Sequence, residues 1–232
     1  MTRIAIALTP HFADWECAML MAIARSYLEA DVVTACPDGD AIVSMGGLRV
    51  TPDLAYDVLD PAVFDALVIP GGLAWETDEA PDFTPQVLEF HAKGKVVAGI
   101  CAAASALAAT GVLNSVAHTG NSLAAHKRQA AYRGDALYRD QPQAVSHVGV
   151  ITAPGSSPVT FTMEILKALH LWGPEAEAEI AAFSRDRHRP PHPPLPTVIR
   201  GYGAPRHPGP AVGPCGGRWR SPRPERSTAF PP

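Results

Sequence analysis

Cysteine is scarce in this chain: the 232 residues contain four, and they lie far apart at positions 17, 36, 101 and 215. No two of them form a C-x-x-C pair, and no Cys/His pair has the spacing of metal ligands. This pattern excludes the framework of small disulfide-rich proteins and the usual zinc sites. It favours reduced thiols, and we therefore expect a cytoplasmic protein without a metal.

Long apolar runs are also missing. The first apolar stretch follows Met1-Thr2-Arg3 and covers about six residues, which is too short for the core of a signal peptide or for a membrane span. No later stretch reaches the roughly 18 apolar residues that a spanning helix needs. We therefore expect a soluble protein with no membrane partner.

Excess positive charge is absent as well, since the formal net charge is -4. The arginines after residue 190 outnumber the single acid there, Glu225, so the rest of the chain is more acidic than the total suggests. An acidic body gives no reason to expect a nucleic-acid partner.

What the sequence does contain is an alternation of strand and helix patterns. Short β-rich or continuous apolar runs, typical of parallel strands covered on both faces, occupy residues 3–10, 31–37, 65–72, 94–101 and 149–155. Segments with helical spacing of apolar residues follow them at 13–30, 81–92 and 158–172, and a last helix is expected near Pro174. Residues 41–53 and 144–153 look like small hairpins or edge strands. This order predicts an α/β fold with a doubly wound, mostly parallel sheet and helices on both faces.

The composition divides the chain at residue 187. Residues 1–187 carry the complete α/β pattern and have the length of one domain. Residues 188–232 are rich in proline, glycine and arginine, so we expect a disordered tail. Such a tail could be a proline-rich ligand or a basic anchor, or it could have no selected role.

The stretch VVAGICAAASALAATG places Cys101 where a predicted strand meets a predicted helix. Sites in open α/β sheets form outside the carboxyl ends of the strands, and the amides that open a helix favour a thiolate. The pattern resembles a nucleophile elbow, with Ala103 in place of its second glycine. The alternative is a buried structural cysteine, which is common in apolar runs.

Three features elsewhere favour the nucleophile. The Gly72 N–H in VIPGG and the Ala102 N–H could form an oxyanion hole. Glu16 in DWE, at the start of the first helix, could raise its own pKa beside Cys101 or hydrogen-bond the thiolate as a neutral acid. His118, expected on the return strand after the Cys101 helix, could act as general base.

Together these residues resemble the ThiJ/PfpI family, which includes the Parkinson's-linked protein deglycase and belongs with the class I glutamine amidotransferase-like hydrolases. The resemblance covers about residues 3–172 and rests on the strings DWE, DALVIPGG, GICAAASALAATGVL, HTGN and APGSSPVTF. It implies a flavodoxin-like core, a homodimer and a site near the dimer interface.

The resemblance also implies roles for individual residues. Cys101 matches the nucleophile of the family, and Glu16 matches its protonated glutamate against the sulfur. Gly72 and Ala102 match the oxyanion donors, and His118 matches a histidine near the cysteine in the deglycase-like branch.

Three departures change the expected reaction. Protease-like members carry histidine directly after the cysteine, where this chain has Ala102. Glu76 stands where those members supply an acid, but its partner histidine is missing, and no histidine accompanies Glu164 as it does in glutaminases. We therefore expect neither peptidase nor glutaminase activity.

The leading hypothesis is a cysteine-dependent enzyme that acts on small electrophilic carbonyl compounds without a cofactor, like glyoxalase III and the deglycases. Asp14, Trp15, Trp75 and Asn121 would line its substrate pocket. Two alternatives stay open: a redox sensor that oxidises Cys101 in the stress response, and an amidase or isonitrile hydratase in which Asp14 positions a water.

Overall fold

The computed structural model describes residues 1–77 and 80–184. Within these residues a seven-stranded sheet has the order β5-β2-β1-β6-β7-β9-β8. All its neighbouring strands are parallel except β8 and β9, which form an antiparallel edge pair. The seven strands are β1 (Arg3–Ala7), β2 (Asp31–Cys36), β5 (Leu54–Ala55), β6 (Ala66–Ile69), β7 (Val96–Ile100), β8 (Val145–His147) and β9 (Val150–Ala153). The expected mostly parallel α/β sheet is confirmed.

Alternation along each strand divides the core into two layers. In β1, Ile4 and Ile6 belong to one apolar cluster, whereas Ala5 and Ala7 belong to the cluster on the other face. Successive strand side chains point to opposite faces, so a run of apolar residues buries both sides of the sheet. The continuous hydrophobicity of the strands is therefore explained by helices on both faces.

The helices of the described residues are α1 (Asp14–Ser26), α2 (Thr84–Ala92), α3 (Ala102–Ala109), α4 (Leu123–Lys127), α5 (Pro158–Ala168) and α6 (Pro174–Ser184). The starts of α5 and α6 follow the preference of proline for the first helical positions, where its missing N–H costs nothing. Helix α2 begins at Thr84, later than expected from the pattern, and the Asp82 carboxylate accepts the Thr84 N–H at 2.9 Å just before the helix. None of these helices is long and apolar enough to cross a membrane.

The two small hairpins are present. Strands β3 (Ile42–Val43) and β4 (Arg49–Val50) form an antiparallel pair outside the main sheet, and β8 and β9 form the other hairpin. The expected return strand at His118 was wrong: the residue makes only an isolated bridge with Tyr138, in an irregular segment that contains α4. The expected tail at 188–232 lies outside the described residues.

Candidate active site

Cys101 is the residue at the turn between β7 and α3. Its φ of 62° lies in the left-handed region, which a residue with a side chain adopts at a cost of about 1–3 kcal/mol. Its N–H donates to the Ala153 carbonyl at 2.9 Å, which ties the turn to the neighbouring strand. This strained turn half-exposes the thiol at the carboxyl edge of the sheet, as in a nucleophile elbow.

Glu16 reaches the thiol from the first turn of α1. It is only 1% exposed, and its Oε2 accepts the Gly71 N–H at 2.6 Å. Within the described residues its buried Oε1 accepts no hydrogen bond, and the carboxyl lies against the Cys101 thiol. Burial raises the pKa of the Glu16 carboxyl to about 7, although the hydrogen bonds with Gly71 and Cys101 lower it.

The ionisation of Cys101 depends on that of Glu16. Burial raises the pKa of the Cys101 thiol, the Asn121 side chain and the Ala102 N–H lower it, and the Glu16 charge raises it. The net direction is upward, so the expected lowering of the thiol pKa by helix amides was wrong. The amides are present, but desolvation and the adjacent carboxylate outweigh them.

Two glycines allow Glu16 and Cys101 to lie side by side. A Cβ added to Gly155 would come within 2.7 Å of the Cys101 Sγ and 3.1 Å of the Glu16 Oε1. A Cβ at Gly71 would come within 2.7 Å of the Cys101 Cβ and 2.8 Å of the Glu16 Oε2. Any side chain at either position would therefore separate or displace the reactive pair.

Asn121 contacts the thiol through its side-chain amide. Its Nδ2 donates to the Cys101 Sγ at 3.3 Å, and its Oδ1 accepts the Gly155 N–H at 2.9 Å. The Gly155 carbonyl in turn accepts the Trp15 Nε1–H at 3.1 Å, although half of the Trp15 side chain is exposed. The amide of Asn121 is thus fixed with its donor group on the sulfur.

The two expected oxyanion donors lie beside this arrangement. Gly72 has a φ of 147°, and a Cβ there would meet the His11 carbonyl oxygen at 2.4 Å, so only glycine fits. Its N–H makes no hydrogen bond in the described part of the chain, whereas its neighbours Gly71 and Leu73 bond to the segment before α1. The Ala102 N–H lies near the Cys101 sulfur and lowers the pKa of the thiol.

The fold and these contacts can be compared with known protein families. A family model described as the DJ-1/PfpI family matches residues 2–168 of the chain. The chain belongs to the DJ-1/PfpI family.

Individual members of the DJ-1/PfpI family and its superfamily are similar to this chain, two of them over most of its length and one over about a third. "Uncharacterized protease YoaZ" of Bacillus subtilis is 33% identical over 171 residues, which are 70% of this chain and 81% of that protein. "Deglycase TK1284" of Thermococcus kodakarensis is 42% identical over 76 residues, 31% of this chain and 44% of that protein. The crystal structure of the DJ-1 superfamily protein Atu0886 from Agrobacterium tumefaciens is 64% identical with a TM-score of 0.78, covering 79% of this chain and 98% of that one.

His118 is the expected catalytic residue of this DJ-1/PfpI chain that the structure does not bring to the thiol. The ring is fully buried, its Nδ1 donates to the Val116 carbonyl at 2.8 Å, and its Nε2 accepts the Tyr132 hydroxyl at 2.8 Å. Both nitrogens are therefore occupied within a cluster of aromatic rings, and none of the hydrogen bonds to Cys101 involves His118.

Asp14 and Trp75, both expected in the substrate pocket, have different surroundings. Asp14 accepts the Gly46 N–H at 2.7 Å, and although burial raises its pKa, hydrogen bonds from Ser44 and Gly46 leave that pKa below its ordinary value. Trp75 donates to the Pro70 carbonyl at 3.0 Å. Asp14 therefore supports the β3–β4 hairpin in this structure, while Trp75 forms a wall of the site.

A cleft of about 550 Å³ opens beside the thiol. Ala102 and Asn121, which both touch the sulfur, form its inner end. Trp75 and Ser105 belong to its walls and also to those of a narrower, more enclosed recess of about 240 Å³ behind it. The cleft therefore approaches the thiol through Ala102 and Asn121.

Two contributions to the site were missed in the sequence. Gly155 was noticed only as part of APGSSPVTF, because its closeness to Cys101 follows from the fold. Ser105 was not considered, although its position four residues after Cys101 in the predicted helix was the available signal. Asn121 was expected in the pocket but not on the sulfur. No group of three or more His, Cys, Asp or Glu side chains in the described ranges is arranged to hold a metal ion.

Proposed function

We propose that this protein is a cysteine-dependent enzyme that converts small electrophilic carbonyl compounds, in the manner of glyoxalase III and deglycases, without a metal or organic cofactor. The observation that carries the proposal is the Glu16 carboxyl, with a pKa of about 7, beside the Cys101 sulfur. Such a carboxyl is about half ionised at neutral pH, so it can accept the thiol proton and later return it.

The first step joins Cys101 to the substrate. Glu16 takes the thiol proton on Oε1 as the sulfur adds to the aldehyde carbon of a 2-oxoaldehyde, and the carbonyl electron pair moves to oxygen. The N–H groups of Gly72 and Ala102 would stabilise this oxyanion. Glu16 then returns the proton to this oxygen, which gives a hemithioacetal and leaves Glu16 as a carboxylate.

The next steps are an internal rearrangement and a hydrolysis. The hydrogen on the former aldehyde carbon moves as a proton to the adjacent carbon, so the first carbon is oxidised and the second reduced by the same two electrons. Water then cleaves the resulting thioester and releases a 2-hydroxy acid with the free thiol. Methylglyoxal and water thus give lactate, and no external oxidant or reductant is needed.

The surroundings of Cys101 support this chemistry over amide hydrolysis. A leaving amine needs a proton from a nearby acid, and in the cysteine peptidases histidine supplies it. Within the described residues the sulfur is bonded by Asn121, Glu16 and Ala102, and none of them is a histidine. The relative from Thermococcus kodakarensis is named a deglycase, which agrees with a carbonyl substrate.

Formation of lactate from methylglyoxal by the purified protein tests the proposal. Cys101→Ala should abolish turnover, whereas the control Cys17→Ala, which alters a thiol buried in the core, should retain it. Equal rates for the Cys101→Ala variant and the unmodified protein would refute the mechanism. Selective dioxidation of Cys101 by mild peroxide without aldehyde turnover would favour a redox sensor, and turnover of amides or isonitriles alone would favour a hydrolase or hydratase.

We also propose that the enzyme acts as a homodimer. An apolar recess of about 400 Å³ lies between α1 and the β3–β4 hairpin, with Met21 and Leu48 in its walls. Leu48 is 60% exposed and Met45, on the same hairpin, is 42% exposed. A contiguous apolar surface of this kind favours a protein partner. Because members of the ThiJ/PfpI family are usually homodimers, we expect that partner to be a second copy of this chain.

A further inference from the structure

Ser105 and His126 form a hydrogen-bonded pair in the cleft wall that the steps above do not use. Ser105 lies one turn of α3 beyond Cys101 and is half-buried in the wall of the cleft. His126 lies behind it, fully buried, with its Nδ1 at 3.1 Å from the Ser105 Oγ. The pair therefore connects the substrate space to an imidazole in the interior.

The direction of the hydrogen bonds in this pair is fixed. The Nε2 of His126 lies 3.1 Å from the Thr119 carbonyl oxygen, which can only accept, so Nε2 carries a hydrogen. Burial lowers the pKa of His126, and the nearby His118 lowers it further, so the ring is neutral near pH 7. Its Nδ1 is then an acceptor, and the Ser105 hydroxyl donates to it.

The imidazole cannot easily leave this position. A Cβ added to Gly120 would come within 2.6 Å of the Cε1 and Nε2 of His126, so the backbone already packs tightly on the ring. The rings of His118, Tyr132 and Tyr138 surround it, each with a centroid distance of 5.6 Å. The serine, imidazole and carbonyl thus form a prearranged chain like the one that activates serine in hydrolases, but beside a cysteine.

We propose that Ser105 is a second acid–base catalytic group of this enzyme and that His126 is its proton acceptor. The inference rests on the proposed carbonyl chemistry. Once Cys101 has formed the hemithioacetal, the Ser105 Oγ takes the proton from the former aldehyde carbon as its own proton passes to the His126 Nδ1. The electron pair of the broken C–H bond forms the carbon–carbon double bond of an enediolate.

The return of the same proton completes the rearrangement. His126 gives its proton back to the Ser105 Oγ, and the serine delivers one to the adjacent carbon. The hydroxyl proton on the first carbon transfers to the oxygen of the second, so a thioester carbonyl and a secondary alcohol result. Ser105 and His126 end in their starting states, and Glu16 remains free to serve the sulfur.

Steady-state turnover of methylglyoxal by Ser105→Ala, Ser105→Thr and unmodified protein tests this assignment. General acid–base catalysis contributes typically about 10²–10⁴-fold, so we expect Ser105→Ala to lower kcat by at least about 100-fold. Ser105→Thr, which keeps a hydroxyl, should recover most of the loss. Alkylation of Cys101 by iodoacetamide should proceed at the same rate in all three, which shows that the thiol site is intact.

Three results would overturn the inference. The first is a kcat for Ser105→Ala within about threefold of the unmodified protein. The second is an equal loss of Cys101 alkylation, which would make Ser105 a structural residue. The third is the absence of turnover by the unmodified protein with every 2-oxoaldehyde, which refutes the proposed function itself and is recognised without any variant.

Discussion

The carboxyl of Glu16 and the thiol of Cys101 lie in contact at the carboxyl edge of the sheet, where β1 leads into α1 and β7 leads into α3. Because β6 is the only strand between β1 and β7, the starts of the two helices lie close together. The turn after β6 supplies the Gly71 N–H that holds the carboxyl in place. The topology therefore places a buried carboxyl against a half-buried thiol, and most of the expected behaviour follows from this contact.

The stability of the fold should depend on the charge of Glu16. Its pKa is raised from 4.5 in the unfolded chain to about 7 in the folded protein, so the folded protein binds the carboxyl proton more tightly. The contribution of this proton to the free energy of unfolding is fully present below pH 4.5 and is lost as the pH rises through 7. We expect Glu16→Gln to be as stable as the unmodified protein at pH 4.5. At pH 8 the variant should be more stable, by up to about 3 kcal/mol. Urea unfolding at the two pH values measures this, and equal stabilities at pH 8 would show that the carboxylate is not destabilised by burial.

The Asn121 amide should control the reactivity of the thiol. Asn121→Ala removes the donor at 3.3 Å from the sulfur, so the Cys101 pKa should rise further and alkylation at pH 8 should slow several-fold. Asn114→Ala is a matched control, because that amide bonds the loop near Arg133 and not the sulfur. Mass spectrometry measures the alkylation rate of Cys101 in both variants. An unchanged rate in Asn121→Ala would contradict the hydrogen bond from Asn121 to the sulfur.

Gly155 should tolerate no side chain. An alanine Cβ would lie 2.7 Å from the Cys101 Sγ, well inside van der Waals contact, so Gly155→Ala should displace the sulfur and lower Cys101 alkylation and turnover together. Gly173→Ala provides the control, since no atom lies within 4 Å of its added Cβ. If Gly155→Ala reacts as fast as Gly173→Ala, the packing around the sulfur is looser than described.

The buried histidines should make the protein sensitive to acid. Burial lowers the pKa of both His118 and His126 below 6.5, so the neutral rings stabilise the fold above that pH and the stabilisation is lost as the pH falls through their lowered values. We expect His118→Gln to flatten the decline of stability below pH 6.5. Thermal unfolding across pH 4 to 7 measures the slope, and an unchanged slope would contradict burial of a neutral ring.

The apolar recess beside α1 should form the contact with the second subunit of the dimer. Leu48, on the β3–β4 hairpin, is 60% exposed. Leu48→Arg places a charge on this apolar surface, so the substitution should convert a dimer into monomers. Sedimentation at micromolar concentration tests this. A dimer that survives the substitution would place the contact on another surface.

The sequence predicted β1, β2, β6, β7 and β9 well because each is a short, mostly apolar run that is largely buried on both faces. Cys101 and Glu16 were found for the same reason: both follow strands whose carboxyl ends meet at one edge. Strand β5 was missed, because its two partly buried residues are too few to show a pattern. His118 was misplaced because its segment contains no regular strand, so sequence spacing carried no information about distance. The Asn121 contact and the Ser105–His126 pair depend on the path of that irregular segment, which no periodicity encodes.

The pH dependence of Cys101 alkylation tests most directly whether Glu16 accepts the thiol proton. In the unmodified protein the rate should rise with a midpoint near pH 7, because loss of the first proton from the pair creates the form in which Glu16 can accept the thiol proton. In Glu16→Gln the rise of the rate near pH 7 should disappear, and the rate should rise once, at higher pH. The same midpoint in both proteins would contradict the assignment of Glu16 as the base for Cys101.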